Sequence, residues 1–171
     1  LRKNILSQHE ELDSTLNPFL SDINPAALEL LMQNSKRIHL QEGQTLIKQG
    51  DTDDRMFIVL EGELAVMVLY RKRKTPALIH TLREGSIVGE MAFLEGSARS
   101  ATVAAHRDST VIELCHKRVL QCLLKFPEIG DALRHESTHR KCLTAINSNK
   151  FLTKLDHGVK DFIAQQSKIV A

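Results

Sequence analysis

The chain has 171 residues, a net charge of +2 at pH 7 and 42% hydrophobic residues. This length suits one domain with appended helices, and the hydrophobic content is sufficient for a packed core. The near-neutral charge gives no whole-chain attraction to nucleic acid. The longest uninterrupted apolar run, residues 64–70, is far shorter than the ~20 residues that a membrane-spanning helix needs.

The first predicted elements are helical. Residues 1–22 are polar, with a few apolar residues at roughly helical spacing, and we expect a helix or a linker there. Asn24 precedes Pro25, and a capping side chain before a proline is typical of a helix start. The face that this helix is predicted to bury consists of Ala27, Leu28, Leu31 and Met32.

From Arg37 the hydrophobic period changes to two, which indicates β-strands. Glycine-containing turns separate these strands at intervals of ~8–12 residues, the spacing of a β-sandwich, roll or barrel. The predicted strands are 38–40, 45–48, 56–60, 63–70, 77–82, 99–105 and 110–115. Helices are predicted to follow, from 116 to 126 and from 127 to about 155.

Residues 85–103 concentrate ligand-binding chemistry around one short helical turn. Gly85 and Gly89 permit a tight bend and a close approach to a ligand. The turn that begins near Gly89 presents free amide groups, which favour an anion. Arg99 adds a planar, permanently charged group suited to phosphate oxygens, and Glu90 supplies an acceptor suited to a neighbouring hydroxyl. A cyclic nucleotide carries one phosphate anion with a free hydroxyl beside it.

The same residues resemble a known motif. Gly-Glu-x-Ala-x-Leu at 89–94, followed by Arg-Ser-Ala-Thr-Val at 99–103, is similar to the phosphate-binding cassette of cyclic-nucleotide-binding domains. That family includes the catabolite activator protein, the regulatory subunits of protein kinase A and gated ion channels. The resemblance covers roughly residues 23–150. It departs from the commonest pattern at Val88, where an aromatic residue is frequent, and at Ala98, where proline often stands.

The resemblance implies a mainly β fold of about eight strands, a double-stranded β-helix or jelly-roll-like β-roll flanked by α-helices. It places the cyclic-nucleotide-binding domain at 23–150, with the roll at 37–115 and C-terminal helices at 116–150. Residues 151–171 form a helical tail. Binding without turnover is implied, so we expect no enzyme, no catalytic residue, no metal and no cofactor beyond the ligand, which is cAMP in preference to cGMP.

The resemblance also assigns roles to individual residues. The predicted ligand-binding residues are Gly89, Glu90, Met91, Ala92, Arg99, Ser100, Val103 and Thr144. Arg99, Ser100 and the amides of the turn are expected to hold the cyclic phosphate, and Glu90 to accept from the ribose hydroxyl. The base is expected to lie against Val103, Ile79 and Leu82, with Thr144 reading adenine from the last helix.

The expected output is regulatory. Ligand binding is expected to reposition the C-terminal helices within a longer protein, which the start at Leu1 instead of Met also suggests. Residues 132–150 weakly resemble domains fused to bacterial sulphate-permease-type transporters, so a cytoplasmic domain of such a transporter is one expectation, with other fused partners, including enzymes and channels, left open. A homodimer through the C-terminal helices stays open. No DNA partner is expected, because only 21 residues follow Lys150, too few for a helix-turn-helix reader.

The sequence leaves other readings open. One alternative function is a β-roll that has lost its ligand and serves as an interaction or scaffolding domain. His135-Glu136-x-x-His139 matches a zinc-protease motif, but no third ligand follows at the required spacing, so we expect an ordinary helix face. The basic run at 71–74 is expected to be a solvated hairpin tip, since it lacks interleaved aromatic residues. Cys115, Cys122 and Cys142 are predicted to be free thiols in a reducing compartment.

Overall fold

The computed structural model describes residues 23–71, 73–149 and 151–166, so the predicted N-terminal element at 1–22 and the last five residues of the tail lie outside the described residues. In chain order the elements are α1 (Pro25–Met32), β1 (Lys36–Leu40), β2 (Thr45–Ile47), β3 (Phe57–Glu61), β4 (Leu64–Val68), β5 (Ala77–Leu82), β6 (Ile87–Val88), α2 (Glu90–Glu95), β7 (Thr102–Ala105), β8 (Ser109–Glu113), α3 (His116–Lys125), α4 (Pro127–Ser148), a 3₁₀ turn (Leu152–Lys154) and α5 (His157–Gln166).

The strands form two four-stranded antiparallel sheets with helices at both ends. The first sheet has the order β1-β8-β3-β6 and the second has the order β2-β7-β4-β5. Apolar side chains from both sheets meet in a shared interior: Leu40, Ile47, Phe57, Val59, Leu64, Leu82, Val88, Val103, Ala105 and Val111. Burying each larger side chain of this kind contributes about 1.5–3 kcal/mol. The eight-stranded jelly-roll predicted from the sequence is confirmed.

Helices cover the outer faces of the roll. Asn24 caps α1 as predicted, accepting from the Ala26 amide at 2.9 Å. Together with α3 and the start of α4, α1 packs on the first sheet, although Met32 is only partly buried. The end of α4 and α5 pack on the second sheet through Val68, Ile79, Leu143, Ile146 and Ala164. One helix of 22 residues, α4, therefore extends from the helices on the first sheet to the second sheet.

Two strand predictions needed correction. Strand β6 was not predicted, because two residues are too few to show alternation; its pairing of Ile87 and Val88 with β3 defines it. The strand predicted to begin at Arg99 begins at Thr102. The Arg99 backbone instead hydrogen-bonds to the loop between β2 and β3. Its amide donates to the Asp51 carbonyl at 2.8 Å, and its carbonyl accepts from the Gly50 amide at 2.9 Å.

The predicted end of the last helix near residue 155 is wrong. Helix α4 ends at Ser148, and Asn149 leaves the helical region with φ −87° and ψ 126°. The Asn149 side chain then accepts from the amides of Phe151 and Leu152 at 2.9 and 3.3 Å. Such local side-chain bonding competes with helical hydrogen bonds and lets the chain turn before α5.

Candidate functional site

A cavity lies between the second sheet, α2 and the middle of α4. It is lined by Ile47, Val66, Ile79, His80, Leu82, Val88, Gly89, Glu90, Met91, Ala92, Arg99, Ser100, Ala101, Val103, Arg140, Leu143 and Thr144. All eight residues predicted from the sequence as ligand-binding are in this lining. The walls are mostly apolar, and a few charged groups converge on them, as in typical small-molecule sites.

Arg99 is almost completely buried, with 4% of its surface exposed. Its Nη2 donates to Asp53 Oδ1 at 2.5 Å and to the Arg55 carbonyl at 2.6 Å, and its Nη1 donates to the Gly89 carbonyl at 3.1 Å. Its Nε is buried with no hydrogen-bond partner among the described residues. A permanently charged group therefore stands in the cavity wall, and the N–H of its Nε is unused.

Asp53 is the counter-ion that makes this burial tolerable. Burial alone raises the pKa of Asp53, but hydrogen bonds from Arg99 and Arg55 outweigh it and lower the pKa to about 2. The carboxylate is therefore charged at neutral pH and neutralises Arg99. An unpaired buried guanidinium would cost several kcal/mol, so the pair fixes the arginine in place.

Gly89 is required by the position of Arg99. It begins α2 with φ +89°, a left-handed conformation that favours glycine. A Cβ atom at this position would overlap the Arg55 carbonyl oxygen and Arg99 Nη1. Glycine at position 89, which the motif predicts, is therefore needed for two physical reasons. It allows the left-handed bend, and it leaves space for the Arg99 guanidinium.

Glu90, the first residue of α2, is 1% exposed. Its Oε2 accepts from Arg140 Nη1 at 2.6 Å, and Arg140 Nη2 donates to the Ile87 carbonyl at 2.7 Å. Its Oε1 is buried and has no hydrogen-bond partner within the described ranges. A buried carboxylate oxygen without a partner is costly, which marks it as an acceptor available to a ligand.

The C-terminal end of α2 also contacts α4. Lys141 Nζ lies 2.5 Å from Glu95 Oε1, and Ser137 Oγ donates to the same oxygen at 3.5 Å. Together with the contact between Arg140 and Glu90, these bonds tie one short helix of the cavity wall to the long helix at both ends.

Thr144 lies one turn beyond Arg140, in the cavity lining. Its hydroxyl donates to the Arg140 carbonyl at 3.0 Å, so the oxygen retains acceptor capacity. Its own carbonyl accepts from the Tyr70 hydroxyl at 2.9 Å. This bond anchors the second half of α4 to the end of β4.

Sequence reasoning missed three groups that complete the site. Asp53 and Arg55 hold Arg99, while Arg140 holds Glu90. The two aspartates at 53 and 54 carried no signal that distinguished them from a solvated turn, and Arg140 was one of many charged residues on a helix. Only a contact across 46 or 50 positions of sequence identifies them.

The competing motifs do not form a second site in this geometry. Across residues 23–71, 73–149 and 151–166, no group of three or more His, Cys, Asp or Glu is arranged to hold a metal ion. His135 is exposed, whereas His139 faces α5. The three cysteines are free thiols, as predicted. In the described part of the chain, no helix has both the length and the apolar character needed to cross a bilayer.

Comparison with known families identifies this arrangement. The family model described as a cyclic nucleotide-binding domain matches residues 37–126, which is more than half of the chain. This range includes both sheets, α2 and α3.

Individual relatives agree with the family match. A cyclic nucleotide-gated potassium channel from Mesorhizobium japonicum is 30% identical over 125 residues, covering 72% of this chain and 33% of the channel. The cAMP-activated transcriptional regulator CRP of Salmonella typhimurium is 30% identical over 102 residues, covering 59% of this chain and 48% of the regulator. The crystal structure of the Thermus thermophilus catabolite activator protein has the same fold, with a TM-score of 0.66 at 20% identity over 77% of this chain and 62% of that chain. The chain spans half or less of the length of these two curated relatives.

Proposed function

The chain belongs to the cyclic nucleotide-binding domain family, and we propose that it is a regulatory domain that binds cAMP in preference to cGMP in the cavity between the second sheet, α2 and α4. The observation that carries this proposal is the presence of both Arg99 and Glu90 in the lining of one cavity. Each is buried, and each keeps one polar atom without a partner in the described part of the chain. An anion next to a hydroxyl satisfies both.

The cyclic phosphate is proposed to bind Arg99. The three hydrogen bonds to Asp53, Arg55 and Gly89 hold the guanidinium still, so little entropy is lost when an anion arrives. Amides at the start of α2, those of Met91 and Ala92, and the exposed hydroxyl of Ser100 supply further donors in the cavity lining.

The ribose 2′-hydroxyl is proposed to donate to Glu90 Oε1. Arg140 already holds the other carboxylate oxygen, which fixes the carboxylate in one orientation. A charge-assisted hydrogen bond to a buried carboxylate is stronger than a neutral one, so this contact favours a nucleotide with a free 2′-hydroxyl.

The base is proposed to lie against the apolar wall of Ile79, Leu82 and Val103, beneath Leu143 and Thr144 of α4. Thr144 then hydrogen-bonds the adenine edge. The variant Thr144→Ala should narrow the preference for cAMP over cGMP by about 0.5–1.5 kcal/mol, the value of one neutral hydrogen bond. Titration of both proteins with both nucleotides measures this gap, and a wild-type preference for cGMP would contradict the assignment.

Helix α4 is proposed to carry the response. Its Arg140 touches the carboxylate that reads the ribose, while Leu143 and Thr144 cover the base position. A ligand that fits only when α4 lies over the cavity shifts the population toward that packing. The attached part of a longer protein, such as a transporter on the cytoplasmic side or a second subunit joined through the C-terminal helices, would receive this shift.

A second candidate function is a ligand-free interaction domain. It is favoured by the completeness of the ion pairs, since Arg99 is neutralised by Asp53 and Glu90 by Arg140 without any ligand. In that case Arg99 Nε and Glu90 Oε1 would stay without hydrogen-bond partners.

Isothermal titration calorimetry with cAMP, cGMP and 5′-AMP separates the two functions. The matched control is 5′-AMP, which has the same base and ribose but an open phosphate. We expect saturable heat with cAMP, weaker binding of cGMP and little heat with 5′-AMP. Silence with both cyclic nucleotides would overturn the proposal in favour of the interaction domain.

A further inference from the structure

Three histidines and an aspartate from three elements meet beside the cavity, where α5 packs on the roll. His80 lies on β5, His139 on α4, and His157 and Asp161 on α5. The Asp161 carboxylate lies 2.9 Å from His157 Nδ1 and 3.6 Å from His139 Nε2. The rings of His80 and His157 are 6.0 Å apart. The Asp161 carboxylate therefore lies between imidazoles of α4 and α5, and the His157 ring approaches His80 of the roll.

Several polar atoms of this cluster have no hydrogen-bond partner in the described ranges. His80 Nδ1, His139 Nε2 and Asp161 Oδ1 are buried without hydrogen-bond partners in the described ranges. The charged and titratable groups facing His80 are Arg140 and His139 from α4 and Asp161 and His157 from α5. Those acting on His139 are Glu136, Arg140 and His135 of its own helix, Asp161 of α5 and, across the cluster, His80 of β5.

These surroundings disfavour protonation of His80 and His139. Burial, reinforced by Arg140, lowers the pKa of His80 to about 4, although Asp161 acts in the opposite direction. Burial likewise lowers the pKa of His139, against the opposing effect of Glu136 and Asp161. Because an exposed histidine takes up a proton near pH 6.5, acid favours any state in which His80 and His139 reach solvent.

We propose that this cluster is a proton-sensitive latch that keeps α5 docked on the roll at neutral pH and releases it on mild acidification. The docked state is fully favoured above pH ~6.5 and loses that advantage as the pH falls toward about 4. The other docking contacts are an apolar patch around Ala164 and the bonds of Lys160 to Asn147 and Thr153, none of which depends on histidine.

Release of α5 also affects the cavity. Leu143 packs with Ala164 of α5 and at the same time lines the cavity. Undocking therefore removes support from the part of α4 that covers the base position. The resulting loss of cAMP affinity in acid rests on the proposed function, whereas the latch itself does not.

Backbone-amide NMR of ¹⁵N-labelled protein between pH 7.5 and pH 5 tests the latch without any nucleotide. We expect the α5 resonances to move toward undocked positions, with the docking equilibrium constant falling by up to about 30-fold, the ratio for one histidine whose pKa drops from 6.5 to about 4 on docking. This ratio is the upper limit for His80 alone, since Arg140 and His139 stay near it after α5 leaves, and protonation of His139 adds to the effect. The double variant His80→Gln/His139→Gln should lose most of this dependence, while His106→Gln, an exposed histidine in the turn between β7 and β8, should keep it.

The outcomes are distinguishable. Wild-type α5 resonances that stay unchanged to pH 5, or an undiminished response in a folded double variant, would overturn the latch. Calorimetry with cAMP at both pH values is read separately. An absence of cAMP binding at pH 7.5 contradicts the proposed function but not the latch, which is then tested by the α5 resonances alone. If the double variant does not fold, the pH response of the wild-type α5 resonances tests the latch.

Discussion

At the scale of single residues, the site depends on two buried charged side chains, each of which has a counter-ion and also a polar atom without a partner among the described residues. Arg99 and Glu90 have their own counter-ions, Asp53 and Arg140, instead of pairing with each other. This separation matters because a direct ion pair would close the site. Two separately neutralised charges can each still accept one ligand group.

The first prediction concerns Arg99→Leu. We expect cAMP affinity to fall by roughly 30-fold to several-thousand-fold, because a partly desolvated phosphate contact contributes on the order of 2–5 kcal/mol. The fold should persist, since the Asp53 side chain is 31% exposed and can be hydrated once its partner is lost. Calorimetry measures the affinity and circular dichroism the fold.

The matched control is Arg83→Leu, which removes an exposed arginine from the turn before the cassette. It should leave affinity nearly unchanged. Equal affinities of wild type and a folded Arg99→Leu variant would contradict phosphate binding by Arg99.

The second prediction concerns Glu90→Gln, which keeps the size of the side chain but removes its charge. We expect a loss of about 1.5–3 kcal/mol in cAMP binding, the value of a hydrogen bond to a charged group. The decisive comparison uses 2′-deoxy-cAMP. Wild type should bind it weakly, and the variant should discriminate far less between the two nucleotides. If both proteins discriminate equally, Glu90 does not read the hydroxyl.

At the scale of elements, α4 connects three parts of the molecule. Its first half packs with α1 and α3, its middle holds α2 through Arg140 and Lys141, and its last turns pack with α5. At 1.5 Å per residue, its 22 residues extend about 33 Å, enough to pass from one sheet to the other. A change in the position of α2 can therefore alter the packing of α4 on both sheets.

The third prediction tests the strength of the link between α4 and α2. Arg140→Gln leaves Glu90 as an uncompensated buried charge, so we expect the free energy of unfolding to fall by about 3–5 kcal/mol. The double variant Glu90→Gln/Arg140→Gln should recover most of this loss, because neither member of this pair is then charged. Chemical denaturation of the four proteins gives the coupling energy.

Arg134→Gln is the control on the same helix. Arg134 forms an exposed pair with Asp131, in which both side chains are more than 60% exposed, and such pairs contribute about 0–1 kcal/mol. A loss for Arg140→Gln no larger than that for Arg134→Gln would show that the buried pair does not hold α4.

At the scale of the whole molecule, the described residues form three apolar clusters. One fills the roll, one lies beneath α1 and α3, and one lies beneath α5. The cluster under α5 is the smallest and contains five buried residues. We therefore expect α5 to undock at a lower free energy than the roll unfolds.

The fourth prediction uses this difference. Ala164→Asp places a carboxylate in the cluster under α5, where Ala164 is 2% exposed, and should undock the helix while the roll remains folded. Gln165→Asp, its exposed neighbour, introduces the same charge and should have little effect. We expect Ala164→Asp to reduce the free energy of docking by about 1–3 kcal/mol and to weaken cAMP binding.

Amide hydrogen exchange in α5 and calorimetry with cAMP measure the two effects. Full protection of α5 in the Ala164→Asp protein would show that this cluster is not what holds the helix. Weakened protection with unchanged cAMP affinity would show that α5 does not support the cavity.

The cassette residues and the class of fold could be predicted from the sequence alone. Gly89, Glu90 and Arg99 lie within eleven positions of one another, so their relation depends on local backbone geometry that residue types and spacing already specify. Alternation and glycine turns indicated most of the strands for the same reason. The counter-ions of Arg99 and Glu90 and the end of α4 became known only from the tertiary structure. Asp53 and Arg140 come from 46 and 50 positions away, and a contact over such a distance leaves no periodic signal in the chain. The histidine cluster joins β5, α4 and α5 by packing alone, which is why the proposed proton control could be inferred only from the folded chain.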